Sequence, residues 1–223
     1  MLIPTVAQLH ERDPESIPVI YRESYRLLFF LAVPAFASLA VASPLISRLW
    51  IGHYEPAFIE FVAILSIAWL VNVLANPAYV VFLGVGALRW VSAACMVTLI
   101  LNAALGYLVG HYAPASFRAL AIVATSALSL AVGYLIVVAA FHHQNRVPFS
   151  QLLPEGSNRL LACSFASAFV LFPALCEASL RSSPPLIFAA AVVALLVAIV
   201  LVPVWLHPMR KRILRWVFSR VPA

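Results

Sequence analysis

Long stretches of this chain run without a charged side chain. Leu27 to Ser47, Phe61 to Leu88, Trp90 to Phe117 and Ala119 to Phe141 contain no Asp, Glu, Lys or Arg. Leu160 to Cys176 is a shorter run with Glu177 just beyond it, and Ser182 to Met209 is again uncharged. A helix needs about 20 mostly apolar residues to cross the hydrocarbon core of a bilayer. The pattern predicts spans near 27–49, 60–83, 90–110, 117–141, 160–180 and 185–206. Within most of them apolar residues surround the helix axis instead of forming one stripe, as expected of helices solvated by lipid. The period-two alternation of a membrane barrel is absent, and open strands leave backbone groups unpaired in lipid. The expected fold class is all-α, a polytopic membrane helix bundle of about six transmembrane helices.

The polar segments divide this pattern. In residues 1–26, Leu2 to Leu9 is apolar and reads as the end of a helix. The ERDP stretch reads as a turn with Asp13 before Pro14 at a helix start, and Ile17 to Arg26 as an amphipathic lead-in. Glu11, Asp13, Glu15 and Glu23 do not suit a cleavable signal peptide. Connections at 50–56, 84–89 and 111–116 are short, which makes the first four spans antiparallel neighbours. The connection at 142–159 is longer and polar, with His142, His143, Gln144, Asn145, Arg146 and Pro148. The expected organisation is a cytoplasmic lead-in at 1–26, a four-helix membrane block at 27–141 and a cytoplasmic loop at 142–159. A terminal helix pair at 160–206 and a basic cytoplasmic tail at 207–223 complete it.

Composition strengthens the membrane reading. Of 223 residues 64% are apolar and 10% charged, against about 25% charged in soluble domains. The basic residues then choose an orientation. With the N-terminal segment cytoplasmic, the inside regions hold Arg12, Arg22, Arg26, Arg89, Arg146, Arg159, Arg210, Lys211, Arg212, Arg215 and Arg220. The outside connections hold only Arg48, Arg118 and Arg181. That asymmetry places both termini in the cytoplasm. In the tail, Met209, Ile213, Trp216 and Val217 fall roughly on one helical face, with basic residues elsewhere. This is the pattern of an interfacial helix on anionic lipid, and equally of a stop-transfer anchor. The positive charge is spread over several loops and gathers on no single face, so no nucleic-acid partner is expected.

Little in the chain suggests catalysis. Asp13 is the only aspartate, and Glu55, Glu60 and Glu177 lie near span ends. Intramembrane proton relays need acids inside the helices, which disfavours proton-coupled drug export. Cys95, Cys163 and Cys176 lie singly in apolar runs and read as inert thiols. His142 and His143 are adjacent and point apart on a helix, and GVGALRW lacks the GK[ST] of a phosphate-binding loop. No enzyme activity, metal or cofactor is expected.

Polar and helix-breaking residues inside the spans are the candidates for function. Pro34 and Pro44 interrupt the first span and Pro77 the second, each removing a backbone hydrogen bond. Such kinks either let a lobe bend or are simply packed. Asn72, Asn76 and Asn102 place amides in lipid, where they need partners. They either line a hydrophilic cavity or join helices. Arg48, Arg89 and Arg118 stand near span ends, where arginine snorkels to the interface.

The order of these features is similar to that of a known family. LIPTVAQL with Pro4 is followed by the acidic turn ERDPES and then by YRESYRLLFFLAVPAFASLAVASPLISRLWIGHYEPA. Then comes ILSIAWLVNVLANPAYVVFLGVGALRW, with Asn72, Asn76 and Pro77 before a Gly-rich turn carrying Arg89, and Asn102 in the next span. This run resembles the second lobe of the lipid-linked oligosaccharide flippases, the polysaccharide transporters of the multidrug/oligosaccharidyl-lipid/polysaccharide exporter superfamily. The resemblance covers about residues 1–141; for 160–206 it rests on order and orientation alone. It implies that the first four spans correspond to the ninth to twelfth helices of a fourteen-helix transporter. A first lobe is absent, Met1 falling where the family's eighth helix ends, so a missing N-terminal lobe or oligomeric partner is expected.

The resemblance further implies a bacterial inner-membrane protein that moves a lipid-linked oligosaccharide for surface polysaccharide assembly. Membrane lipid and that substrate are then its partners. Asn72, Asn76 and Asn102 would meet sugar hydroxyls. Arg118, which leads directly into a span, would meet the diphosphate, because guanidinium binds phosphate with paired bonds. Pro34, Pro44 and Pro77 would serve as hinges. The rival readings are a non-transporting membrane scaffold or remnant of a truncated gene, and a membrane-embedded polysaccharide-assembly enzyme.

Overall fold

A computed structural model of the chain describes residues 2–180 together with Trp205 and Arg210. The fold is all-α. Helix α1 is Leu2–Arg12, α2 Ile17–Ile51, α3 Pro56–Gly84, α4 Leu88–Tyr112, α5 Arg118–Gln144 and α6 Ser157–Leu180. Short 3-10 turns at Pro14–Ser16 and Phe149–Leu152 precede α2 and α6. Among the described residues five helices are long and apolar enough to cross a membrane, with mean hydropathy from 1.8 to 2.2 over their best windows. These match the first five expected spans. The sixth, at 185–206, and the tail at 207–223 lie outside the described residues, apart from Trp205 and Arg210. The Arg210 guanidinium lies 4.0 Å from the centre of the Trp205 ring, a cation–π pairing.

The first span and its lead-in form one helix. Pro18 falls in the first turn of α2, where the missing N–H has no helical partner to lose. Nothing then stops the helix until Gly52, whose φ of +90° suits the end of a helix. At 35 residues α2 is about 52 Å long, so it outreaches a hydrocarbon core of about 30 Å. Pro34, Pro44 and Pro77 all lie inside continuous helices and are buried.

The α3–α4 connection is a tight reversal. Ala87 donates to the Phe82 carbonyl and Gly86 to that of Leu83, with Gly86 at φ +71°. This is the two-bond helix ending that needs a left-handed residue. Arg146 ends α5 with a left-handed residue too, at φ 52°, and Val147 donates to the His142 carbonyl.

The described chain forms two compact units, divided inside α2 at Leu28/Phe29, inside α3 at Val62/Ala63, and in the polar loop at Leu152/Leu153. The first unit contains α1, the start of α2, the remainder of α3, α4 and α5. Small buried residues on α3, namely Ala68, Ala75 and Ala78, let its neighbours approach closely. A Cβ at Gly84 would stand 2.7 Å from the Val6 side chain, so α1 lies directly on the end of α3. At Gly133 a Cβ would collide with Thr98 Oγ1, so α4 and α5 touch there backbone to side chain.

In the second unit the C-terminal half of α2 meets α6 through Val41, Leu171 and Leu175, with Leu45 and Phe172 around them. The first span is therefore held partly by the fifth. The buried Ser47 hydroxyl donates to the His53 carbonyl and accepts from Glu55 N–H, both at 3.0 Å. It fastens the α2–α3 loop to the end of α2.

Candidate functional site

A partly open cleft of about 480 Å³ lies in the first unit between α3, α4 and α5. Helical periodicity builds its walls. Asn72, Asn76 and Tyr79 share one face of α3, being four and seven residues apart. Cys95, Thr98 and Asn102, three and seven residues apart, likewise share a face of α4, and Leu130, Gly133, Tyr134 and Val137 form the α5 wall. Asn72 is near the middle of α3 and Asn102 near the middle of α4. The polar groups therefore sit at mid-height of helices that are otherwise apolar.

Neutral hydrogen bonds tie the cleft together. Ser126 Oγ donates to Asn102 Oδ1 at 3.0 Å, which leaves the Asn102 amide N–H groups for another acceptor. The Tyr134 hydroxyl lies beside the Asn72 amide, Tyr79 and Cys95. Thr98 Oγ1 bonds back to the Ala94 carbonyl at 2.9 Å. Asn76 and Asn102 are exposed, and Asn72 is half-buried. Among the described residues no Asp, Glu, Lys or Arg lines the cleft.

The structure thus brings Asn72, Asn76 and Asn102 together and leaves Arg118 outside. Arg118 opens α5, exposed, with Nη2 donating to the Ala113 carbonyl at 3.3 Å. Twelve residues separate it from Leu130, about 18 Å along the helix. Its first-turn position keeps it at the helix end, where a cation stays hydrated. Pro77 follows Asn76 directly but is buried, while Pro34 and Pro44 belong to the second unit. Sequence reading missed Tyr79, Cys95, Thr98 and Tyr134. The seven-residue spacings from Asn72 to Tyr79 and from Cys95 to Asn102 were the available signal.

It also missed a fastening at the Gly84–Leu88 end of the same unit. Tyr21, Phe82, Phe141 and His142 are all at most 2% exposed. His142 Nδ1 lies 3.1 Å from the Val147 carbonyl and must donate to it. Nε2 is then free to accept from the Tyr21 hydroxyl at 2.8 Å. Phe149 stacks on the His142 ring at 5.0 Å, and the Tyr25 hydroxyl donates to the Leu152 carbonyl at 3.1 Å. Arg22 Nε donates to Gln151 Oε1 at 3.0 Å. With its amide turned so that the oxygen faces the donors, Gln144 accepts from the Trp90 indole and, at 2.8 Å, from Arg89. The polar loop is therefore strapped to the start of α2, and His142 is a structural ring. Among the described residues no three metal-ligating side chains gather.

Comparison with protein-family models, with curated proteins and with solved structures gives no match to this chain.

Proposed function

We propose that the chain is one lobe of a membrane transporter that flips a lipid-linked oligosaccharide across a bacterial inner membrane for surface polysaccharide assembly. The observation that carries this reading is the uncharged polar cleft at mid-height of apolar helices. Amides and hydroxyls in that position cost free energy against lipid unless something polar meets them. A passage for a hydroxyl-rich head group meets that need. Polar residues at the membrane midplane between helices are also where transporters place their substrates. The order of prolines, asparagines and glycines that resembles the oligosaccharide flippases supports the same reading.

On this reading both termini are cytoplasmic, and Asn76 and Asn102 at the mouth of the cleft face a partner lobe or a second subunit. Arg118 meets the phosphates at the outer end of α5. No covalent bond is made or broken, so the protein is a transporter and not an enzyme.

Complementation of a strain lacking its own flippase tests this. The chain alone is expected not to restore surface polysaccharide, and co-expression with a matching first lobe is expected to restore it. In the restored pair, Asn72→Leu with Asn102→Leu should abolish most export. Arg118→Ala should lower export and Arg118→Lys should retain part of it. Normal export by the double asparagine variant at equal protein level refutes the proposal.

A further inference from the structure

The cleft differs from its surroundings in having polarity without charge. Its hydrogen-bonding groups are the amides of Asn72, Asn76 and Asn102, the phenols of Tyr79 and Tyr134, and the hydroxyl of Thr98. An amide offers a donor and an acceptor side by side, which matches two neighbouring hydroxyls. A tyrosine ring offers an apolar face with a polar tip, which suits a sugar ring having C–H faces and hydroxyl edges. The volume of about 480 Å³ falls within the roughly 300–1,000 Å³ of sites that enclose a small molecule.

Phosphate is poorly served in the same place. A dianion at mid-membrane needs cations or many donors to replace its water. None of the described lining residues is cationic, and Arg118 stands about 18 Å away along α5. We infer that the cleft is a binding site for the uncharged glycan of the substrate and does not hold its phosphates. This inference deepens the transport reading and rests on it for the identity of the site. It places recognition of the cargo in the sugar rather than in the charged linkage common to such lipids.

Cys95 lines the cleft and is exposed, which supplies a reporter. The full-length chain with Cys163→Ser and Cys176→Ser keeps Cys95 as its single thiol. It is purified in a detergent without a sugar head group, and the rate of its reaction with a polar maleimide is measured. Decyl maltoside, decyl phosphate and decanol, each below its micelle concentration, serve as probes. Decyl maltoside is expected to slow labelling severalfold, and the other two to leave it unchanged. Asn102→Leu or Asn72→Leu should raise the half-protecting maltoside concentration about two- to tenfold, the loss of one net hydrogen bond. Asn72→Gln, which keeps the amide, should protect better than Asn72→Leu and controls for folding.

Protection by decyl phosphate equal to or above that by maltoside overturns the inference. So does equal protection by decanol, which reports the alkyl chain alone. A Cys95 that fails to react without any probe overturns it as well, because a sugar site must be hydrated. Binding is read on the chain by itself, apart from export. Maltoside protection with no export from the co-expressed pair therefore rejects transport and keeps the glycan site, and the opposite pair of results does the reverse.

Discussion

Ser43 donates its hydroxyl to the Ala40 carbonyl at 2.8 Å. That carbonyl lies four residues before Pro44, which has no N–H to give it. Both Ser43 and Pro44 are buried in the second unit. The helix thus runs on through the proline because a neighbouring side chain takes over the lost bond, as happens where prolines are tolerated in membrane helices.

A double-mutant cycle tests this coupling. Ser43→Ala alone should cost about 1–2 kcal/mol, since it strands a buried carbonyl. In a Pro44→Ala background, where the substituted residue supplies the backbone donor, the same change should cost less than about 0.5 kcal/mol. Denaturant unfolding in micelles reads both. Equal costs in the two backgrounds would show that Ser43 does not compensate for Pro44.

The strap at the other unit gives a second prediction. Tyr21→Phe leaves His142 Nε2 buried without a donor, which should destabilise by about 1–3 kcal/mol. It should also speed proteolysis within 142–152, because the loop loses its anchor to α2. Adding His142→Phe removes the stranded nitrogen but also the Nδ1 donor to the Val147 carbonyl, so His142→Phe should cost less in the Tyr21→Phe background than in the parent chain. Limited proteolysis with thermal unfolding measures this. Equal costs in the two backgrounds would mean that the pair acts through ring packing and not through the hydrogen bond.

These two cases mark what was legible beforehand. Five helices follow from uninterrupted apolar runs such as Phe61 to Leu88, because lipid imposes a length that sequence displays directly. The amides of Asn72, Asn76 and Asn102 are visible as polar groups inside apolar spans. Tyr134 was not, because a tyrosine in an apolar run reads equally as packing. Tyr21 and His142 are 121 residues apart, and no local pattern joins them. The contact of Gly133 with Thr98 depends on how α4 and α5 cross, which periodicity alone does not fix. Residue chemistry offers Arg118 as a further substrate contact, whereas its position at the first turn of α5 keeps it at the helix end.

Orientation is tested on two exposed positions separated by three spans. His53 lies in the α2–α3 loop and Ser150 in the 3-10 turn before α6. An odd number of crossings places them on opposite faces of the membrane. The distribution of basic residues puts Ser150 inside. In a background with the three native cysteines replaced, Ser150→Cys should react with an impermeant maleimide only in inside-out vesicles. His53→Cys should react only in right-side-out ones. Reversed labelling inverts the topology, and labelling of both from one face removes a span.

Gly133 offers the sharpest link between packing and the cleft. A methyl group there meets Thr98 Oγ1 head-on and stands 3.2 Å from the Ala94 carbonyl. The hydroxyl cannot simply turn away, because it is bonded to that same carbonyl. Gly133→Ala should therefore separate α4 from α5 and cost about 1–3 kcal/mol, as overpacking usually does. That outcome runs against propensity, since alanine favours a helix over glycine by about 1 kcal/mol. Thr98→Ala removes the hydroxyl in the way, so the double variant should recover much of the loss. The carbonyl contact remains, and recovery should be incomplete. Both residues line the cleft, so Gly133→Ala should also change the reaction rate of Cys95, measured with Cys163 and Cys176 replaced by serine. Thermal unfolding and maleimide kinetics on the same samples check the two effects together. A Gly133→Ala protein as stable as the parent, with unaltered Cys95 reactivity, would show that α4 and α5 do not approach as closely as this contact requires.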